Sequence, residues 1–387
     1  MQAENSVHAY RKRRRRILAV LSVLGRRAPT RLAAQHYHHI QAQLDDVHFK
    51  STFGLTISEF EAIHHALRLP DPVRTSVNDV SDSKTALLML LAWLRGSRLR
   101  SLEGQFGWSH SRSSRIIHQV SEFIHRRWCH LLDVTSARHR LLSPRRLDYY
   151  AAAIERKTRL PQFWGAIDGT VRPIAMPINE QREAYNGHKR VHALKYQFIA
   201  TPDGLLFVSA PFDGRRHDAH MVIETHLVAW AAENAKGEDG EQRYLYGDQA
   251  YGVSPAIISP FKGNLITRNQ ELTNHVLGKY RTTVEWGIGM VSMQWPRFRD
   301  KQYQRTGLTP CGRDWMVATL LWNAKTCLIG NQISISMGCN PPTLEEYFSS
   351  PRVVVSTALT NPAENSSGIN SPEHADNNDE VTVNEVL

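Results

Sequence analysis

At 387 residues, 41% hydrophobic and 22% charged, the chain has the composition of a soluble globular protein with room for two or three domains. A formal net charge of +10 and a pI near 9.5 favour a polyanionic partner, nucleic acid first. Four cysteines without a Cys-x-x-Cys pair argue against a zinc site or a disulfide framework, and the longest apolar run in a helical pattern, Ala86 to Leu94, is about half of what spans a bilayer.

Residues 1–48 form a basic N-terminal segment. Arg11 to Arg16 precede an apolar run from Ile17 to Gly25, but Arg26-Arg27 follows where a signal peptide would offer a small-residue cleavage site. The segment reads as a nuclear import signal or DNA-backbone contact, ahead of a solvated basic helix start or organelle targeting, so a nuclear location is expected. His36, His38 and His39 lack acidic or cysteine partners at ligand spacing and read as surface histidines.

Residues 49–150 are expected to be helical. A helix begins after Thr56, with Ser58 as candidate N-cap and Phe60, Ile63 and Leu67 on one face. Thr85 to Arg95, Ser101 to Phe106 and Ser111 to Trp128 follow, the last two separated by Gly107-Trp108-Ser109. That outline is helix-turn-helix-like, and in such a unit the start of the last helix meets the major groove. His110, Arg112, Ser113 and Arg115 would stand there, with Arg112, Ser113 and Arg115 as DNA-binding residues; plain three-helix packing is the structural alternative. Leu131 to Leu160 reads as a connector with a short helix around Tyr149 to Glu155.

Residues 151–330 read as an α/β catalytic domain. Phe163 to Ile167 suits a buried strand that ends at Asp168, with Gly169 permitting a tight turn. Leu194, Tyr196 and Phe198 alternate with Lys195 and Gln197 as in a half-buried strand, and Pro202-Asp203-Gly204 turns the chain into the next strand, Leu205 to Ser209. His217 to Asn234 reads as one helix, with Asp218 as candidate cap. Tyr244 to Gly247 is the fourth strand, ending at Asp248, Asn264 to Thr267 the fifth, and Glu271 to Trp295 a long helix carrying Glu285. Cys311 to Ile329 adds a further helix; residues 331–355 are a C-terminal extension, and 356–387, rich in Asn, Ser, Pro and acidic residues, read as a disordered tail.

A strand-terminal Asp usually only caps a turn, and Arg281 with Glu285 alone would be an exposed intrahelical pair. Asp168, Asp248 and Glu285 together are another matter: three carboxylates on two strand ends and a helix suit hard divalent cations. Two such ions about 3.5–4 Å apart clamp the attacking and leaving oxygens of a phosphodiester displacement. His188, Lys189 and Arg190 form a basic loop that could meet phosphate.

The ordered motifs Ile167-Asp168-Gly169-Thr170, Tyr185-Asn186-Gly187-His188-Lys189-Arg190, Pro202-Asp203-Gly204, His217-Asp218, Gly247-Asp248-Gln249-Ala250-Tyr251 and Arg281-Thr282-Thr283-Val284-Glu285 resemble those of the PIF/Harbinger transposases and Harbinger-derived nucleases of the DDE superfamily. The resemblance covers roughly Phe49 to Gly330. It implies a ribonuclease H-like core behind a helix-turn-helix-like region, with Asp168 and Asp248 bridging two Mg²⁺ or Mn²⁺ ions and Glu285 on the second. It further implies cutting and joining of duplex DNA at terminal inverted repeats and short A/T-rich targets, a Myb-like partner protein and a homo-oligomer on DNA. The alternatives are a domesticated DNA-binding protein on the same fold without transposition and, more remotely, a nuclease acting on RNA.

Overall fold

A computed structural model describes residues 37–136, 140–263 and 265–349. The basic run Arg11 to Arg16, His36 and the expected tail at 356–387 lie outside them. Helices α1 (Tyr37–Gln43), α2 (Asp46–Phe53) and α3 (Ile57–Leu67) come first. Thr56, not Ser58, caps α3: its hydroxyl accepts from Glu59 N while Glu59 accepts from Thr56 N, which closes a capping box. Phe60, Ile63 and Leu67 are fully buried.

A small hairpin, β1 (Val73–Arg74) and β2 (Val80–Ser81), leads into α4 (Ser83–Leu94), capped by Asp82. Thr85 through Ala92 are all inaccessible, so α4 is apolar around its circumference and runs through the interior. Next come α5 (Leu99–Phe106), the turn at Gly107, whose φ of 71° closes the helix without a Cβ clash, and α6 (His110–Trp128), capped by Ser109. Ile117 joins Ile116, Val120 and Ile124 on the buried face of α6, whereas Phe123 is only partly covered. The expected short helix near Tyr149 is in fact α7 (Pro144–Thr158), started by the Ser143 cap and Pro144 in its first turn.

The sheet is mixed and centres on β3 (Phe163–Pro173). The short helix α8 (Gln181–Ala184) and β4 (Tyr185–Asn186) precede β5 (Val191–Ala200), β6 (Leu206–Val208) and β7 (Phe212–Asp213). Helices α9 (Asp218–Glu224) and α10 (Leu227–Asn234) cross to β8 (Tyr244–Tyr246) and β9 (Ile257–Ile258). The strand order is β4-β5-β3-β8-β9, with β6 and β7 also paired to β5; β3 is antiparallel to β5 and parallel to β8, and β8 is parallel to β9. Helices α11 (Arg268–Gln294), α12 (Cys311–Ile329), α13 (Gln332–Met337) and α14 (Leu344–Phe348) complete the described chain, an arrangement consistent with a DDE nuclease fold.

Several local expectations need correction. The fifth strand lies at Ile257–Ile258, because Thr267 instead caps α11. β5 is not half-buried: Lys195 and Gln197 are as covered as Tyr196 and Phe198, since α9 packs over the face they occupy. The single helix expected from His217 to Asn234 breaks at His226, whose φ is 53°, and Asp218 makes no side-chain cap.

The N-terminal helices and the sheet share one continuous apolar core across residue 150. Polar ties add to it: Gly54 O accepts from Gln294 Nε2 at 2.6 Å and from buried Lys325 Nζ at 3.1 Å, and Arg95 donates to Gln294 O at 2.9 Å. Among the described residues no helix is long and apolar enough to cross a membrane.

Candidate active site

Backbone pairing puts two of the carboxylates together. Ala166 of β3 is in register with Tyr246 of β8, where their parallel pairing ends. Two residues further along each chain stand Asp168 and Asp248, so strand periodicity gives them the same parity just beyond the paired segment. The carboxyl ends of parallel strands are where open α/β sheets place their ligands. Ser259 Oγ donates to Asp248 O at 2.8 Å and thereby ties the end of β9 to this turn, while Asp248 Oδ1 accepts from Ala250 N at 2.9 Å.

Asp168 does not end its strand. β3 continues to Pro173, still paired with β5, and Gly169 is in ordinary extended conformation, not at a turn. The glycine serves a close approach: a Cβ there would lie 2.2 Å from Asp218 Oδ1. That carboxylate in turn accepts from Lys195 Nζ at 2.7 Å, and the same ammonium donates to Arg216 O at 2.7 Å. Lys195 is 5% exposed, which explains why a lysine sits on a strand face covered by α9.

The third carboxylate arrives on α11. Val284, Gly287 and Val291 bury its inner face, and Gly287 leaves no room for a side chain, because a Cβ would come within 2.5 Å of Leu206 Cδ2. This close seating leaves Glu285 exposed at the edge, with Arg281 one turn earlier. Arg281 Nη1 is 3.4 Å from Asp168 Oδ2 and its Nη2 is 3.3 Å from Glu285 Oε1. The guanidinium thus spans strand and helix.

Burial pushes the Asp168 carboxyl up to about 6, with Asp248 and Glu285 adding to the rise and Arg281 opposing it. Buried Tyr251 is raised well above the usual phenol range, first by burial and then by Asp218, Asp168 and Asp248. Both effects mark one small region where negative charge converges.

Divalent cations are matched to this donor set by chemistry, since all three carboxylates offer hard oxygens and Asp168 is held where a nearby positive charge would relieve it. Among the described residues, however, no three His, Cys, Asp or Glu side chains are gathered into a ready cage. Arg281 stands between Asp168 and Glu285 instead.

The basic residues lie elsewhere. Asp168 pairs with Phe198 of β5, whereas the exposed loop His188, Lys189 and Arg190 precedes Val191, seven residues back along the strand and so about 23 Å away. At the start of α6, Arg112 stacks 4.0 Å over Trp108 and donates to Val80 O at 2.6 Å. Arg115 Nε pairs with Asp79 Oδ2 at 2.5 Å. Ser113, expected at the DNA surface, is fully buried: it faces inward with Ile116 and Ile117, so its hydroxyl is not presented to solvent. Nothing local in the sequence singles out Lys195 and Tyr251 as site residues, because their role depends on pairing across the sheet.

Residues 167–323, which include all three carboxylates, match the family model described as DDE superfamily endonuclease. The match supports placing this region in that superfamily, with nuclease chemistry on DNA and the use of divalent metals that the superfamily implies in general. No curated protein and no solved structure matches the chain.

Proposed function

We propose that the protein is a divalent-metal-dependent DNA endonuclease of the PIF/Harbinger type, with a ribonuclease H-like core, able to cut and join DNA at element ends. The observation that carries this reading is the register of Asp168 and Asp248 beyond adjacent parallel strands, with Glu285 of α11 joined to Asp168 through Arg281. Asp168, Asp248 and Glu285 would hold the divalent cations. Bound there, Mg²⁺ or Mn²⁺ supplies water activation and stabilisation of the leaving oxygen.

The chain's own residues do the rest. Lys195 fixes the Asp218 carboxylate against Gly169 and so sets the backbone from which Asp168 projects. Asp168 is partly shielded from water, which strengthens its attraction for any cation that enters. The exposed His188 to Arg190 loop and the start of α6 are the basic surfaces offered to the DNA backbone, Arg112 and Arg115 through a change of partner. Assembly as a homo-oligomer on DNA, a Myb-like partner and nuclear location belong to the same reading.

The test is nicking of a duplex bearing candidate terminal repeats, with Mg²⁺, with Mn²⁺ and with excess chelator. Nicking is expected only with metal. Cleavage that survives chelation contradicts the proposal, and metal-independent binding without any cleavage favours the domesticated DNA-binding protein.

A further inference from the structure

A routine helical ion pair would leave Arg281 beside Glu285 on the surface of α11. Here the guanidinium also reaches a strand: one terminal nitrogen is 3.4 Å from Asp168 and the other 3.3 Å from Glu285. Asp168 has a side chain only 19% exposed, so its charge needs a partner close by. Buried Lys195, near the site, is committed to Asp218 and Arg216 O. Both Arg281 contacts are longer than the 2.7–2.9 Å or so of directed charge-assisted hydrogen bonds, so neither is a tight bond. The guanidinium offsets part of the site's negative charge.

We propose, building on the metal-dependent reading above, that Arg281 is a resident counter-cation which occupies Asp168 and Glu285 in the metal-free chain and must release both before a divalent cation can take them. Metal affinity is then the outcome of a competition within the chain. A single guanidinium spans the two carboxylates because it is a rigid planar fork; a lysine ammonium is a compact point charge that can meet only one of them. Contact competition and simple charge repulsion therefore predict different orders for the variants.

Mn²⁺ affinity of the full chain without DNA, measured by isothermal titration calorimetry, separates them. Arg281→Gln is expected to bind Mn²⁺ at least about threefold more tightly than wild type, and Arg281→Lys to be tightened as well, though less. Metal-free melting temperature should fall in Arg281→Gln and recover more on Mn²⁺ addition than in wild type. Should Arg281→Gln not fold, the Lys variant carries the test alone. Unchanged or weaker Mn²⁺ binding in both variants overturns the proposal. Tighter binding in the Gln variant with wild-type binding in the Lys variant overturns it too, since charge alone would then account for the effect. Asp168→Asn and Asp248→Asn serve as controls: if they bind Mn²⁺ like wild type, the cation reading of the site fails, and the counter-cation proposal falls with it.

Discussion

Gly169 shows how one residue without a side chain decides the site. Its hydrogen faces the Asp218 carboxylate at a distance no Cβ could share, so Gly169→Ala must push Asp218 away from Lys195 or bend β3 at Asp168. The variant should lose about 1–3 kcal/mol of stability through overpacking and most of its metal-dependent nicking; a variant with unchanged melting temperature and nicking rate would contradict the placement. Lys195→Met should cost about 3 kcal/mol, because it leaves the Asp218 carboxylate, 24% exposed, without its partner. Replacing Lys195 and Asp218 together with Met and Leu should recover much of that loss, as urea unfolding of the three variants would measure. Asp168, Asp248 and Glu285 are candidates in the sequence only as a set within the ordered motifs, since each local pattern alone suggests a turn cap or an exposed ion pair. The Asp218–Lys195 pair is not legible there: alternation along β5 assigns Lys195 to solvent, and only the packing of α9 reveals that both faces are covered.

At the scale of elements, α4, α6, α11 and α12 are legible to within three residues of their ends, since their apolar periodicity is a local signal, whereas the length of α7 and the break at His226 are not. The two-residue strands are not legible either, although the three-residue β6 and β8 are. β9 has two residues and owes its existence to parallel pairing with β8, which no local pattern announces. The packing of α6 on α12 offers a pH test. Buried Asp314 on α12 accepts from Ser121 Oγ of α6 at 2.7 Å, and burial pushes its carboxyl up to about 6 from an ordinary 3.8. A raised acid favours the folded state while protonated, so its contribution is largest at low pH and is lost as pH rises from about 4 through about 6. Asp314→Asn should flatten the fall in melting temperature between about pH 4.5 and pH 7.5, to the extent expected of a group shifted by this amount. An unchanged pH profile would show that Asp314 titrates normally. The basic elements differ in readiness: Arg115 is tied to Asp79, whereas Lys189 and Arg190 are exposed. Lys189→Ala with Arg190→Ala should reduce the log–log salt slope of duplex binding by about 0.9 for each phosphate the loop no longer neutralises, and an unaltered slope would remove the loop from the DNA path.

Over the whole sequence the net charge is +10, while among the described residues β3, β8 and α11 bring carboxylates into a small acidic region. On the proposed reading, the general field draws a polyanion, and the acidic region would admit a phosphodiester once cations offset its charge. The most direct test of this account measures Mn²⁺-dependent nicking and metal-free duplex affinity side by side for wild type, Asp168→Asn, Asp248→Asn, Glu285→Gln and the triple variant. The three carboxylates acting as one unit predict that each single change lowers nicking by orders of magnitude, that the triple change adds little more, and that metal-free affinity holds or rises. Nicking that persists in the triple variant would contradict the assignment of chemistry to these residues.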